Sequence, residues 1–303
     1  MDFFKITERS ITRGRNRELS GIDIYPDFIV GKTKDLMVRG KSFYAIWDAE
    51  AGLWSRDPYD VQRMVDAELF KYKELLIESR APDCPVRVMS LSEFSSKTWV
   101  EFNKYVASLP DNAITLDDRL TFLDTKVKQE DYVSRRLPYN LEAGDYSAWD
   151  EMIGTLYDEK EREKLEWAIG SVVSGDSRTI QKFVALYGDP GTGKGTVLDI
   201  LYRLFGDYCE TFNAKALGSS SDQFSTEVFR SNPLVAIQTD GDLSRIEDNT
   251  KLNTIISHEP MMMNEKYKPH YTARINCFLF IATNKPVKIT DGRSGIIRRL
   301  IDI

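Results

Sequence analysis

Two spacings of apolar residues divide the chain into elements. In "PYDVQRMVDAELFKYKELLIES" the apolar positions Val61, Met64, Val65, Leu69, Leu75 and Leu76 recur at helical intervals. In "DEKEREKLEWAIGSVVSG" Asp158 stands where a helix cap belongs, acids fill the first turn, and Leu165, Ala168, Ile169 and Val172 form a stripe. A third helix is predicted over Val197, Leu198, Leu201 and Leu204. Largely apolar runs mark buried strands instead: Phe183 to Tyr187, Leu234 to Ile237, and Ile275 to Ala282. "SFYAIWDAEAGLWS" alternates about an acidic, glycine-bearing turn, which predicts a hairpin from Phe43 to Trp54.

The segments "APDCPVRVMS" and "RRLPYNLEAGDYSAWDEM" interrupt these patterns. The expected organisation is a small α/β domain over residues 1–133, a helical linker or collar over 134–178, and an α/β domain with a parallel sheet over 179–303. Aromatic residues interleaved with lysines in the first domain are read as its core rather than as a base-stacking surface.

Composition changes little in this picture. The 303 residues are 42% hydrophobic and 29% charged, an ordinary globular mixture. No run approaches a membrane span, and the first twenty residues lack the apolar core of a signal peptide, so a cytoplasmic protein is expected. Cys84, Cys209 and Cys277 are far apart with no C-x-x-C pair, which predicts buried free thiols rather than a zinc site or disulfides. The net charge is −6, but Pro260 to Ile303 holds eight Lys/Arg against three acids. A basic end on an acidic body points to a localised anionic partner.

The strongest chemical signal is "LYGDPGTGKGT". A buried strand, a glycine-rich turn, Lys194 and an apolar-periodic helix follow one another, which is the context that gives a Walker A match its meaning. The loop Gly188, Asp189, Pro190, Gly191, Thr192, Gly193, Lys194, Gly195, Thr196 and Val197 would wrap a triphosphate, its main-chain N–H groups, which Pro190 lacks, pointing at the phosphate oxygens. The helix that follows adds its positive end, and Lys194 adds a point charge at the β- and γ-phosphates of ATP. The magnesium-binding hydroxyl normally follows the lysine directly. Here Gly195 takes that place, so Thr196 is the candidate Mg2+ ligand. Adenylate kinases share the "GKGT" ending, so the loop alone does not choose a reaction.

A second strand must bring an acid. "NPLVAIQTDGDLSRI" places Asp240 and Asp242 at the carboxyl end of the Leu234–Ile237 run, where ligands collect in open α/β sheets; Asp240 is the better placed to hold the metal. "INCFLFIATNKP" puts Asn284 at the tip of another strand, where an amide could orient an attacking water. Between them "HEPMMMNEKYKPHYTARIN" carries Lys266, Lys268 and His270 with Tyr267 and Tyr271, a pattern that suits a basic hairpin tip meeting single-stranded DNA. Met261 to Met263 are expected to pack. "GRSGIIRRLIDI" offers Arg298 or Arg299 as an arginine finger, placed on a helix.

In this order, "LYGDPGTGKGT", "LFGDY", "VAIQTDGDLSRI", "NEKYKPHY", "FLFIATNKP" and "GIIRRL" resemble the superfamily 3 helicases, and most closely the helicase part of phage and poxvirus-type primase-helicases. The resemblance runs from about Tyr132 to the end. It implies an AAA+-like P-loop ATPase core preceded by a small α/β domain and a helical segment. It also implies a ring, usually of six subunits, that translocates on single-stranded DNA in replication. Carried over, Lys194 and Thr196 bind phosphate and magnesium, Asp240 and Asp242 fill the Walker B role, and Asn284 matches sensor 1. Lys266, Lys268 and His270 match the DNA-contacting hairpin, and Arg298 or Arg299 the finger reaching a neighbour's ATP. The sequence reads "QTD" where the family commonly has an adjacent acid pair. It also implies a further C-terminal segment after "RRLIDI". The histidines, His258 and His270, both lie in the ATPase part, so priming by this chain is not expected. Two other readings stay open: a nucleotide kinase, and a non-hydrolysing module in which ATP locks a DNA-bound or packaging assembly.

Overall fold

The computed structural model describes residues 4–26, 37–39, 44–55, 57–79, 84–90, 120–219, 222, 224–241, 248–264, 271–285 and 295–303. The chain forms two compact units, residues 1–121 with 125–136, and residues 122–124 with 137–303.

The first unit opens with a long hairpin, β1 (Phe4–Arg13) and β2 (Asn16–Pro26), to which the sequence patterns assigned no element. Short strands β3 (Met37–Arg39), β4 (Tyr44–Asp48) and β5 (Leu53–Ser55) make an antiparallel sheet. Its β4–β5 turn is the hairpin that the aromatic alternation predicts: the Asp48 carboxylate accepts the Glu50 and Ala51 N–H groups. Trp54 is buried, stacks on Tyr132 and donates its indole N–H to the Gln129 carbonyl. Helix α1 (Pro58–Ser79) follows, then β6 (Val86–Val88), which pairs in parallel with β2. α1 packs against β2, β4 and β6 through Val65, Leu69 and Leu76, while Leu75 faces solvent.

In the second unit α2 (Ser147–Leu156) and α3 (Glu159–Ser174) precede the sheet. α3 starts where its cap requires: the Asp158 carboxylate accepts the Glu161 N–H at 2.9 Å. It ends at Gly175, which takes the left-handed conformation that closes a helix without Cβ strain. α2 begins inside the segment that the sequence pattern marks as a break; it is held to α3 by a Trp149–Glu166 hydrogen bond and by Arg162, which bonds both Glu166 and Asp150.

The core is a five-stranded, all-parallel sheet. In chain order its strands and helices are β7 (Phe183–Tyr187), α4 (Lys194–Phe205), β8 (Cys209–Thr211), α5 (Ala214–Leu217), β9 (Val235–Gln238) and α6 (Thr250–Ile256), followed by β12 (Phe278–Thr283) and β13 (Leu300–Asp302). β10 (Pro260–Met263) and β11 (Tyr271–Arg274) form a separate antiparallel pair before β12. The strand order in the sheet is β13-β7-β12-β9-β8. Phe183–Leu186 of β7 and all of β9 and β12 are buried because both faces of the sheet are covered, while Tyr187 at the carboxyl end of β7 is exposed. Phe183, Ala185, Ala236, Leu279 and Ile281 pack with α5 and α6 on one face. α4 lies beside β8 and β12 and buries Val197, Leu198, Leu201 and Phe205.

Three expectations change here. Met263 is buried and Met261 partly so, but Met262 is exposed, because a strand turns alternate residues to opposite sides. The cysteines are free, yet only Cys277 is fully buried. Arg298 and Arg299 lie on a short 3-10 turn, Ile297–Arg299, leading into an edge strand, not on an α-helix. Among the described residues no helix is long and apolar enough to cross a membrane.

Candidate functional site

β7 delivers the chain to the glycine loop at its carboxyl end. The Gly188 N–H donates to the Thr283 carbonyl of neighbouring β12, which anchors the start of the loop. Gly191 and Gly193 adopt φ of +82° and +84°, where a side chain would be strained. Gly193 is constrained twice, since a Cβ there would fall 2.5 Å from the Leu156 side chain at the end of α2. Nothing comparable explains Gly195: a Cβ built there meets no atom within 4 Å.

Lys194 opens α4 and folds over the loop. Its ammonium donates to the Gly188 carbonyl at 2.7 Å, the Asp189 carbonyl at 2.8 Å and Thr192 Oγ1 at 3.2 Å. No side chain caps this helix start, so the first-turn N–H groups face the loop.

An open cleft of about 370 Å³ lies over this end of the sheet, lined by Pro190, Gly191, Thr192, Gly193, Lys194, Gly195 and Thr196 with Thr239 and Asn284. Three neighbouring strands therefore contribute to it: β7 through the loop, β12 through Asn284, and β9 through Thr239. Gly188 and Asp189 present carbonyl oxygens to Lys194 and do not line the cleft. Val197 is buried, and its N–H donates to the Gly193 carbonyl, so it contributes packing.

Beyond β9 the geometry is more restrictive than a surface turn. Gln238 is buried; its amide oxygen accepts the Ala214 N–H at 2.9 Å and its amide nitrogen donates to the Asp240 carbonyl at 3.4 Å. Gly241 donates its N–H to the Ala282 carbonyl at 2.7 Å, and a Cβ there would fall 2.6 Å from Ile281 Cγ2. The chain is thus held on either side of Asp240, by the Gln238 side chain to α5 before it and by Gly241 to β12 after it. Asp240 itself is exposed at the strand tip, next to Thr239 but outside the cleft lining. Asp242, Lys266, Lys268 and His270 lie outside the described residues. The stem that would carry the last three is present: β10 and β11 pair from Pro260↔Arg274 to Met263↔Tyr271.

The arginine pair has two fates. Arg299 is buried and donates to Ser257 Oγ from Nε at 3.0 Å and Nη2 at 2.6 Å, and from Nη1 to the Gly295 carbonyl at 3.0 Å. Burial, and then the Arg298 charge, hold its pKa below the usual guanidinium value. Arg298 is exposed, and its carbonyl accepts the Lys182 ammonium. Neither lines the cleft of its own chain. His258 has a packing role: its ring nitrogens lie 3.0 Å from the Ile275 carbonyl and 2.8 Å from that of Ser177.

Sequence reasoning passed over Thr239, Gly241 and Leu156. The first two stand beside Asp240, whose carboxylate is the chemical signal of that motif, and Leu156 lies 37 residues before the glycine it touches. Among the described residues no group of three or more His, Cys, Asp or Glu side chains could cage a metal. One hydroxyl and one carboxylate, with the other positions left to phosphate and water oxygens, is how magnesium is held at phosphate sites.

Residues 186–299 match the model of a family of unknown function, DUF5906. No curated protein matches the chain. Among solved structures, the apo form of the NrS-1 C-terminal region (residues 305–718) is similar with a TM-score of 0.48 and 14% identity, covering 88% of this chain and 58% of that one. An A-form apo structure of the same region gives 0.47 and 16%, covering 86% and 55%. A further A-form apo structure of the C-terminal region gives 0.43 and 19%, covering 54% and 38%. The chain spans less than two thirds of each of these structures.

Proposed function

We propose that the protein is an ATP-hydrolysing motor of DNA replication, which draws single-stranded DNA through a ring of like subunits. One observation carries this reading: the glycine loop, Thr196, Thr239 and Asn284 line a single cleft at the carboxyl ends of three adjacent parallel strands. Ligands gather at that edge of open α/β sheets.

In this reading the loop amides and the start of α4 bind the β- and γ-phosphates of ATP. Lys194 exchanges its loop carbonyl partners for phosphate oxygens. Magnesium, when bound, withdraws negative charge from those phosphates; the Thr196 hydroxyl and the Asp240 carboxylate would hold it. β12 separates the phosphate-loop strand from the acid-bearing strand, so β7 and β9 lie two strand spacings apart, about 9–10 Å. The attacking water would sit beyond the tip of β12, between the phosphates and the acid. Asn284 orients this water, and whichever of Asp240 and Asp242 does not hold the metal takes its proton. Arg298, exposed beside the edge strand, is the better finger for a neighbouring subunit's ATP. Lys266, Lys268 and His270 at the β10–β11 tip contact the DNA strand.

The test is Lys194→Ala. Hydrolysis is expected to fall by roughly 10²-fold or more, and binding of a fluorescent ATP analogue to weaken, while the protein stays folded in a melting curve. Wild-type turnover in this variant would end the proposal. Inorganic phosphate is the expected product, released faster with single-stranded DNA. Phosphoryl transfer to a mononucleotide would instead identify a kinase.

A further inference from the structure

The outer half of the N-terminal hairpin buries nothing. β1 and β2 run for 10 and 11 residues, yet β6 pairs only with Ile22–Ile24. Residues 11–19 are exposed on both strands and around the turn. The register shifts between Arg9 and Ser10, an irregularity that bends and twists a ribbon. Beyond it the ribbon closes on the Arg13↔Asn16 pair through a two-residue turn. Gly14 supplies the positive φ, +66°, that such turns need. This segment adds no core, so packing does not account for its side chains.

Those side chains are distinctive. Residues 11–19 hold Arg13, Arg15 and Arg17 against the single acid Glu18, in a chain whose net charge is −6. Cross-strand partners share a face and alternate residues switch face. Arg13 therefore lies with Ile11, Asn16 and Glu18 on one face, and Arg17 with Ser10, Thr12 and Leu19 on the other, with Arg15 at the turn. Arg13 pairs loosely with Glu18 at 3.7 Å and Arg17 bonds Ser10, both on the surface. Ile11 and Leu19, each about half exposed, put an apolar group on each face.

We infer that this ribbon is an arm that lies in the major groove of duplex DNA. That groove, about 12 Å wide, admits a two-stranded ribbon. Arginines on both faces and at the tip meet phosphates on both walls, whereas a single strand offers phosphates to one side only. Ile11 and Leu19 then meet sugars or thymine methyl groups. The arm needs no nucleotide and acts apart from the cleft.

The test is fluorescence anisotropy of the full chain, without ATP, on a labelled duplex of about two helical turns and on the matching single strand, over a range of salt. Replacing Arg13, Arg15 and Arg17 together by alanine should weaken duplex binding at least about tenfold. The plot of log affinity against log salt should become shallower by about 2–3, one counterion step per lost phosphate contact. Single-strand binding and basal hydrolysis should change little. The triple lysine variant, which keeps the charge, should retain the salt slope, and it serves if the alanine variant does not fold. Unchanged duplex affinity in the alanine variant would overturn the inference, as would a lysine variant whose slope collapses. Equal losses on duplex and single strand would overturn the groove assignment. Unchanged binding with new aggregation would show that the arginines merely guard an exposed strand edge.

Discussion

Arg298 and Arg299 are chemically identical and adjacent, and their surroundings give them different work. Arg299 holds the end of α6 to the turn before β13 through Ser257 and Gly295. Arg299→Ala leaves these acceptors unpaired in a buried place and should cost about 2 kcal/mol. The melting temperature should then fall by roughly 4–8 °C. Arg298→Ala should leave the melting curve nearly unchanged, and on the proposed reading it abolishes turnover that a wild-type neighbour can restore in mixed assemblies. Measuring both variants by calorimetry and phosphate release separates the two roles. The sequence could not divide this pair, because only Ser257, 42 residues earlier, decides which guanidinium is taken up. Gln238 makes the same point: nothing near it in the chain shows that its side chain is taken up by the α5 backbone.

Among the elements, those with a local cause were the ones that could be read directly. α3 has its cap, its acidic first turn and its terminal glycine within a single stretch of chain. Asp158→Ala removes the acceptor of the Glu161 N–H and should cost about 1 kcal/mol, visible as a lower denaturation midpoint with unchanged hydrolysis. β7, β9 and β12 were legible because strands covered on both faces must be apolar throughout. α2 was not, since "GDYSAWDEM" starts with turn-forming residues and its helix is completed by one ion pair and one hydrogen bond to α3. β13 was missed as well. Three residues carry no period, and the strand exists because β7 offers it an edge. The β1–β2 ribbon has a glycine turn but no apolar alternation in its outer half, so its pattern carried no strand signal.

For the whole molecule, charge and topology point the same way. The basic C-terminal stretch brackets the β10–β11 pair and ends in the edge strand that carries Arg298 just before it. If hydrolysis is completed by a neighbour's arginine, ATP contacts both subunits and should favour assembly. Sedimentation should therefore show a monomer or small oligomer alone and a ring with a non-hydrolysable ATP analogue, and Arg298→Ala should weaken that shift. A species of constant size under both conditions would argue for a module that acts without a trans finger.

The sequence by itself determined the glycine loop, the strand before it, the helix after it and the tips from which Asp240 and Asn284 project, because each follows from residues close together in the chain. Only the tertiary structure decided that β12 stands between β7 and β9, that Thr239 and Asn284 share a cleft with the loop, that Leu156 seats on Gly193, and that Arg299 is buried while Arg298 is free to face outward. These are contacts between residues tens of positions apart. Local backbone preference and apolar period carry no information about them; the packing of one element on another creates them.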